Sequence, residues 1–393
     1  MHISAAELTR RVIEPDQFVP DPTAFVDVRL PQSKGKESLS FIGPGVSQNS
    51  DQVINIEEPH GFNVGAARLP AGAINNPHLH FTAEVFICRY GSFRFFIGLG
   101  DDALSLDVGP GDVVSVPTWV FRSFENIGTE QGFVYTALGN DVTGGIIWAP
   151  EVLAEAAETG LFLDKDALLL DTVNGDLVDG AELMPRMREE DVRSLPQPSE
   201  EDLAVRFVPA NRRQWNSGSL LSGCLEGHRV DTAPLIGHGF TQHANSASPI
   251  PGHHSFTATW LRAEPGQETG LHAVDAYQVA YLIDGSWQID CNPELDVSAR
   301  PQSGSLVSMP PGSWRTLRAV GGETATMVLV TAGDSRPGIT WSDEIVSAAR
   351  GANTALDANG CIGPAHLIEN RGGSCGSEQE ISSSSSTTTG REI

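Results

Sequence analysis

The chain repeats itself. FIGPGVSQ at residues 41–48 returns as LIGHGFTQ at 235–242, an offset of 194, and GIIWAPEV at 145–152 returns as GITWSDEI at 338–345, an offset of 193. Between these anchors Gly72 corresponds to Gly266, Gly91 to Gly285, Gly111 to Gly304 and Pro117 to Pro310. A period this long spans a whole domain, so the chain has to fold as two copies of one architecture. Its 393 residues suffice for two substantial cores plus connectors. The one-residue change of offset falls between Gly285 and Gly304, where a loop of variable length is expected.

The punctuation of each copy points to strands. With 41 glycines and 25 prolines, the composition suits many short strands joined by tight turns. Tyr90-Gly91-Ser92 is expected to be a hairpin turn leading into the strand Phe93–Ile97, and Asp284-Gly285 a second one between QVAYLI and SWQI. The fold class is therefore mainly all-β.

Chemistry concentrates in AGAINNPHLHFTAEVFICRYG, which ends at Gly91. His78 and His80 are two apart, so on an extended strand both imidazoles leave the same face. Glu84 would lie roughly 13 Å beyond His80 on a straight strand, far outside metal-ligand reach. The chain must therefore turn near Phe81-Thr82-Ala83 and bring Glu84 back on the next strand. Two imidazoles and a carboxylate brought together suit a divalent transition metal.

Gly72, His78, His80, Glu84 and Gly91 form the pattern G-x5-H-x-H-x3-E-x6-G, which resembles the first signature motif of the cupin superfamily. Gly111, Pro117, Trp119, Arg122 and Asn126 in GDVVSVPTWVFRSFEN resemble the second, G-x5-P-x-G-x2-H-x3-N, with two departures. Trp119 stands where a glycine is usual, and Arg122 where the fourth ligand, a histidine, is usual. Arginine stays protonated and cannot ligate. The resemblance implies two tandem cupin-type antiparallel β-barrels, a bicupin, with short helices between and after them, and a three-ligand site of His78, His80 and Glu84 with open positions.

The repeat gives the second barrel a different prospect. His78 corresponds to His272, but His80 corresponds to Val274 and Glu84 to Gln278, and one imidazole with one amide is a poor ligand set. Chemistry is expected in the N-terminal barrel, scaffolding or assembly in the C-terminal one.

Three residues are candidates for a catalytic part. Glu84 is a proton acceptor beside the metal. Arg122 is either an anchor for an anionic substrate group or an ion-pair partner of Glu84, and its counterpart Arg315 in the ligand-poor barrel favours a structural origin. His60, whose counterpart is His254, is a candidate acid/base, supporting residue or replacement ligand, against the plainer alternative of a core histidine. Phe86, Phe95, Phe121 and Phe124 either line a pocket or fill the barrel core.

Two histidines and one carboxylate resemble the facial set of non-haem Fe(II) oxygenases, and the one-sided duplicated barrel is similar to gentisate-type and quercetin-type dioxygenases. That likeness implies oxidation of a small phenolic or enolic, possibly anionic, substrate. It implies one metal, Fe(II) first, with Mn, Zn, Ni or Cu as alternatives. Cupin isomerases, decarboxylases and lyases use similar ligands without redox chemistry, and other duplicated cupins only bind or store. Cupins also commonly pair, so a homodimer is implied.

The remaining expectations concern partners and boundaries. Lys+Arg 25 against Asp+Glu 50 gives a net charge of −25, which speaks against nucleic acid or an anionic membrane as partner. The five scattered cysteines form no C-x-x-C pair, no apolar run approaches 18 residues, and the first residues carry no apolar signal core, so the cytoplasm is the expected compartment. Expected segments are an N-terminal arm at 1–40, barrel 1 at 41–145, a helical connector and linker at 146–202, barrel 2 at 203–340, a C-terminal helix and extension at 341–369, and a disordered tail at 370–393.

Overall fold

The computed structural model describes residues 1–369, and the expected tail lies outside them. Each repeat is a barrel made of a larger and a smaller facing sheet. In the first, the larger sheet has the order Phe207–Val208, Val113–Val116, Glu84–Tyr90, Gly132–Gly139, Phe62–Leu69, Glu37–Ile42, Ile54–Ile56; the smaller has Ile146–Trp148, Ile74–His80, Arg122–Asn126, Phe93–Ile97, Leu104–Val108. The second barrel repeats this order as Val12–Ile13, Leu306–Met309, Gln278–Asp284, Ala325–Ala332, Phe256–Ala263, Val230–Ile236 facing Val297–Ala299, Ser286–Cys291, Trp314–Val320, His272–Val274, Ile339–Trp341. Among the described residues pairing is antiparallel except between Glu37–Ile42 and Ile54–Ile56 and at the single bridge Ile236–Ile250 that mirrors it.

Burial explains which strands alternate. Phe93, Phe95 and Ile97 point into the first barrel while Arg94 and Phe96 between them are only half-buried. Gly132–Gly139 is buried along its whole length, because the larger sheets of the two barrels pack back to back and cover both faces. Tyr135 and Tyr281 meet edge to face in this shared core, ring centroids 4.8 Å apart.

The arms are exchanged. Val12–Ile13 joins the second barrel, Ile13 opposite Leu306, while Phe207–Val208 joins the first, Val208 opposite Val113. Each repeat's leading strand thus covers the edge of the other repeat's larger sheet, removing an exposed edge and tying the barrels together. The first barrel accordingly extends beyond residue 145, both through Phe207–Val208 and through Ile146–Trp148, whose Ile146 and Trp148 pair with His80 and His78.

The two expected hairpins are corners instead. Glu84–Tyr90 lies in the larger sheet and Phe93–Ile97 in the smaller one, and Gln278–Asp284 and Ser286–Cys291 are divided in the same way. Gly91 makes the crossing at φ +98°, and a Cβ there would lie 2.6 Å from the Cα of Gly132. A tight turn between two short strands has the same local signature whether its strands pair or part. Barrel closure decides between the two.

The expected helices are present. Pro150–Glu158 has proline in its first turn and buries Val152, Leu153 and Ala156. Asp343–Gly351 is capped by Ser342, whose hydroxyl accepts from the Ile345 N–H. The connector carries two further short helices, Glu189–Arg193 and Glu200–Ala204. Among the described residues no helix is long and apolar enough to cross a membrane, and Cys88, Cys224, Cys291 and Cys361 are free thiols.

Candidate metal centre

Strand Ile74–His80 on the smaller sheet delivers His78 and His80, the chain crosses the barrel at residues 81–83, and Glu84 opens the first strand on the facing sheet. The corner is what turns a linear H-x-H-x3-E spacing into a convergent one. One nitrogen from each imidazole and one carboxylate oxygen all lie within 4.8 Å of one another, and all three residues are buried. His80 Nε2 is 3.1 Å from Glu84 Oε2. Neighbouring ligands on an ion with bonds of about 2.1 Å sit roughly 3–3.5 Å apart, so the residues fit a single transition metal with small side-chain adjustments. Among the described residues no other group of three His, Cys, Asp or Glu side chains comes this close.

Backbone carbonyls orient the imidazoles. His78 Nδ1 is 2.7 Å from the Asn76 carbonyl and His80 Nδ1 is 3.3 Å from the Gly145 carbonyl. With Nδ1–H donated there, Nε2 keeps its lone pair for a metal. The His78 ring packs against Trp148 at 5.3 Å, and the Trp148 indole N–H donates to Gln48 Oε1 at 3.1 Å. Asn76 is itself held, its amide donating to Asp27 Oδ2 at 2.8 Å and Ser33 Oγ at 2.7 Å.

The electrostatics favour the ligating protonation states. Burial, reinforced by His80 and Arg122, holds the His78 pKa well below the usual imidazole range. Burial alone would raise the Glu84 carboxyl, but His80 and Arg122 outweigh it and the net shift is downward. A neutral imidazole and an ionised carboxylate are the forms a metal requires.

Arg122 is wholly buried, with both terminal nitrogens engaged and its Nε without a partner among the described residues. Its Nη1 donates to Glu84 Oε2 at 3.2 Å, and its Nη2 donates to the carbonyls of Pro117 at 2.9 Å and Val120 at 3.0 Å. Of the two roles expected for it, the ion pair with Glu84 is the one the structure forms. Burial lowers the guanidinium pKa and Glu84 opposes that shift.

The triad faces a cavity of about 60 Å³ lined also by Lys36, Asn75, Phe86 and Phe124. Arg122, Phe95 and Phe121 do not line it; Phe95 and Phe121 are spent on core packing. Lys36 escaped sequence analysis, since a single lysine in a polar arm carries no spacing signal. It is buried, ion-paired with buried Asp27, and its ammonium donates to Asn75 Oδ1 at 2.8 Å. Trp119, at φ +61°, occupies the left-handed conformation that Gly312 adopts at +69° in the second barrel, and its exposed ring meets Phe81 edge to face at 5.1 Å.

His60 is elsewhere. It lies on the seam between the barrels, Nε2 2.7 Å from Ser308 Oγ and its ring 4.2 Å from that of Tyr277. His254 mirrors it, Nε2 2.8 Å from Ser115 Oγ. His60 precedes the strand Phe62–Leu69 at the end of the sheet that faces the other barrel.

The second barrel keeps the frame without the ligands. His272 Nδ1 lies 2.9 Å from the Gly270 carbonyl, its ring packs on Trp341 at 5.4 Å, and Trp341 donates to Gln242 Oε1 at 3.1 Å. Arg315 donates to Gln278, the residue that replaces Glu84. The His272 Nε2 is buried without a partner among the described residues.

Residues 54–159, which hold the triad and its corner, match the family model described as Cupin. The match is confined to the first barrel, whose fold the second barrel repeats. Its whole fold is similar to oxalate decarboxylase from Bacillus subtilis, with 15% identity, a TM-score of 0.51, and coverage of 86% of this chain and 79% of that one. It is similar also to vicilin from Capsicum annuum, with 12% identity, a TM-score of 0.52, and coverage of 84% and 88%. At these identities the likeness of the chain to both is one of fold. No curated protein matches its sequence.

Proposed function

We propose that the protein is a metal-dependent enzyme whose N-terminal barrel acts on a small acid without net oxidation, in the manner of a decarboxylase, isomerase or lyase. The observation that carries this is the size of the chamber at the triad. About 60 Å³ holds roughly two water-sized groups, at about 30 Å³ each, whereas a benzene ring takes a cavity of about 150 Å³. A chamber of this size favours a compact carboxylate or enol over the phenolic substrate that the ligand set first suggested.

His78, His80 and Glu84 would hold the ion, which supplies Lewis acidity to a substrate oxygen. The chain does the rest. The carbonyls of Asn76 and Gly145 keep both imidazoles in the ligating tautomer, Arg122 holds the Glu84 carboxylate ionised and aimed, and Phe86 and Phe124 keep bulk water from the walls. Oxalate decarboxylase, one of the proteins with this fold, acts on an acid of suitable size.

A second reading rests on the donor set itself. Two histidines and one carboxylate with open positions also serve O2-dependent non-haem iron enzymes, with Fe(II) as the ion and a small enolic substrate. Metal analysis followed by turnover of two- and three-carbon acids in an oxygen electrode tests both. Turnover with no oxygen uptake upholds the non-oxidative reaction, stoichiometric uptake upholds the oxygenase, and a protein that takes up no metal overturns both.

A further inference from the structure

The charge that would receive an acidic substrate is not the one the motif suggests. Arg122 has both terminal nitrogens engaged, on Glu84 and on two carbonyls, and lies outside the chamber wall. Lys36 lies in that wall, together with Asn75 and all three metal ligands. It is 4% exposed, sits over the faces of Phe25 at 5.1 Å and Trp148 at 5.3 Å, and Trp148 in turn packs on His78. An ammonium has three N–H donors. Asp27 and Asn75 take two, which leaves one.

Packing does not account for this pair. Removing a lysine and an aspartate from water costs several kcal/mol per ion, and apolar side chains of similar volume do as well or better for stability. The second barrel dispenses with both charges. In the register of the strands, Lys36 precedes Glu37, which pairs with Arg68, while Val230 precedes Asp231, which pairs with Arg262, so Val230 stands in the place of Lys36. At the same offset of 194, Asn75 and Asn76 give way to Thr269 and Gly270, while Asp27 gives way to Ser222, since the N–H donated to Gln48 comes from Val26 and the one donated to Gln242 from Leu221. The features that serve the frame survive in both barrels: Arg122 and Arg315, Trp148 and Trp341, Gln48 and Gln242. The buried lysine and its partners are lost together with His80 and Glu84, which marks them as part of the site and not of the scaffold.

We infer that Lys36 is the cation that binds the carboxylate of the substrate beside the His78-His80-Glu84 triad, with Asp27 and Asn75 fixing its ammonium at the chamber wall. This rests on the metal-site reading above and narrows its substrate class to small carboxylic acids of the size of oxalate or acetate. Asp27 is rigidly held for the task, accepting from Asn76 Nδ2 and from Ser33 Oγ at 3.2 Å.

The test uses the full chain loaded with Co(II), whose visible spectrum reports ligands arriving at the site, titrated with oxalate and with acetate. Lys36→Met combined with Asp27→Asn removes the pair without stranding a charge. Metal content and melting temperature of this double variant should match the wild type, while oxalate affinity falls about tenfold to a hundredfold, as for loss of a charged hydrogen bond. Should the double variant fail to fold, Lys36→Gln, whose amide still donates to Asp27, gives the same comparison. Equal oxalate affinity with and without Lys36, or no spectral response of the loaded wild type to either acid, overturns the inference while leaving the metal site intact. A chain that takes up no Co(II) overturns the metal reading, and the inference with it.

Discussion

Arg122 and Glu84 form a buried pair, Nη1 to Oε2 at 3.2 Å, at the position where a fourth histidine ligand would complete a four-ligand cupin site. A protein that gives up a ligand for a cation must satisfy the remaining carboxylate when no metal is bound, and this pair does so. Arg122→Met should therefore destabilise the metal-free protein by up to roughly 3–5 kcal/mol, because it leaves the buried Glu84 carboxylate with His80 in place of a permanent charge partner. With metal bound, the ion takes over Glu84 and the loss should shrink. Arg315→Met, which breaks a contact to a neutral amide, should cost the same with and without metal. Urea denaturation in chelator and in added metal measures all four values, and a metal-independent loss at Arg122 would show that the pair is unrelated to the site.

One barrel carries the His78-His80-Glu84 group and the other only its frame, so the purified protein should hold close to one divalent metal per chain. His80→Ala should abolish binding. His272→Ala should leave metal content unchanged, since His272 has Val274 and Gln278 beside it where the first barrel has His80 and Glu84. Elemental analysis of the three proteins decides this, and a second equivalent of metal lost on His272→Ala would contradict it.

The convergence of His78, His80 and Glu84 was legible in sequence because their spacing has a geometric meaning: same-face parity for His78 and His80, and a turn forced before Glu84. The turn itself was legible too. That it crosses between sheets was not, nor was the same event at Gly91 and Gly285, because sheet membership is fixed by closure of the barrel and leaves no local trace. His60 shows the same limit: its repeat partner His254 was visible, but the seam that takes both histidines exists only once the larger sheets pack back to back. Lys36 lies in a segment with no motif, and only its burial beside Asp27 and Asn75 sets it apart.

The seam is predicted to depend on its two serines. Ser308 bonds His60 Nε2 at 2.7 Å and Arg11 Nη1 at 3.2 Å, and Ser115 bonds His254 Nε2 at 2.8 Å. Ser308→Ala and Ser115→Ala should each cost about 1–3 kcal/mol by stranding a buried ring nitrogen. The two pairs share no partner, so their costs should add within about 0.5 kcal/mol. Metal content should not change. Strong coupling in a double-mutant cycle would mean that the seam opens as one unit.

Acid should weaken the second barrel through His272. Burial, reinforced by Arg315, lowers its pKa from 6.5 to about 3. The folded state thus holds this ring neutral while the unfolded chain protonates near pH 6.5, so the unfolded state binds more protons between these values and stability falls as pH drops. The contribution is fully present above about pH 6.5, and each pH unit below that removes up to about 1.4 kcal/mol until the folded-state pKa is reached. His272→Gln, with no proton to take up, should flatten the stability profile of the metal-free protein over that window while leaving its first barrel unaltered. His78 titrates in the same direction, so the diagnostic quantity is the difference in slope between the two proteins and not the slope itself. Identical slopes from pH 6.5 down to pH 4 would mean that the His272 ring gains a proton in the folded barrel as readily as in the unfolded chain, and that its buried Nε2 reaches water.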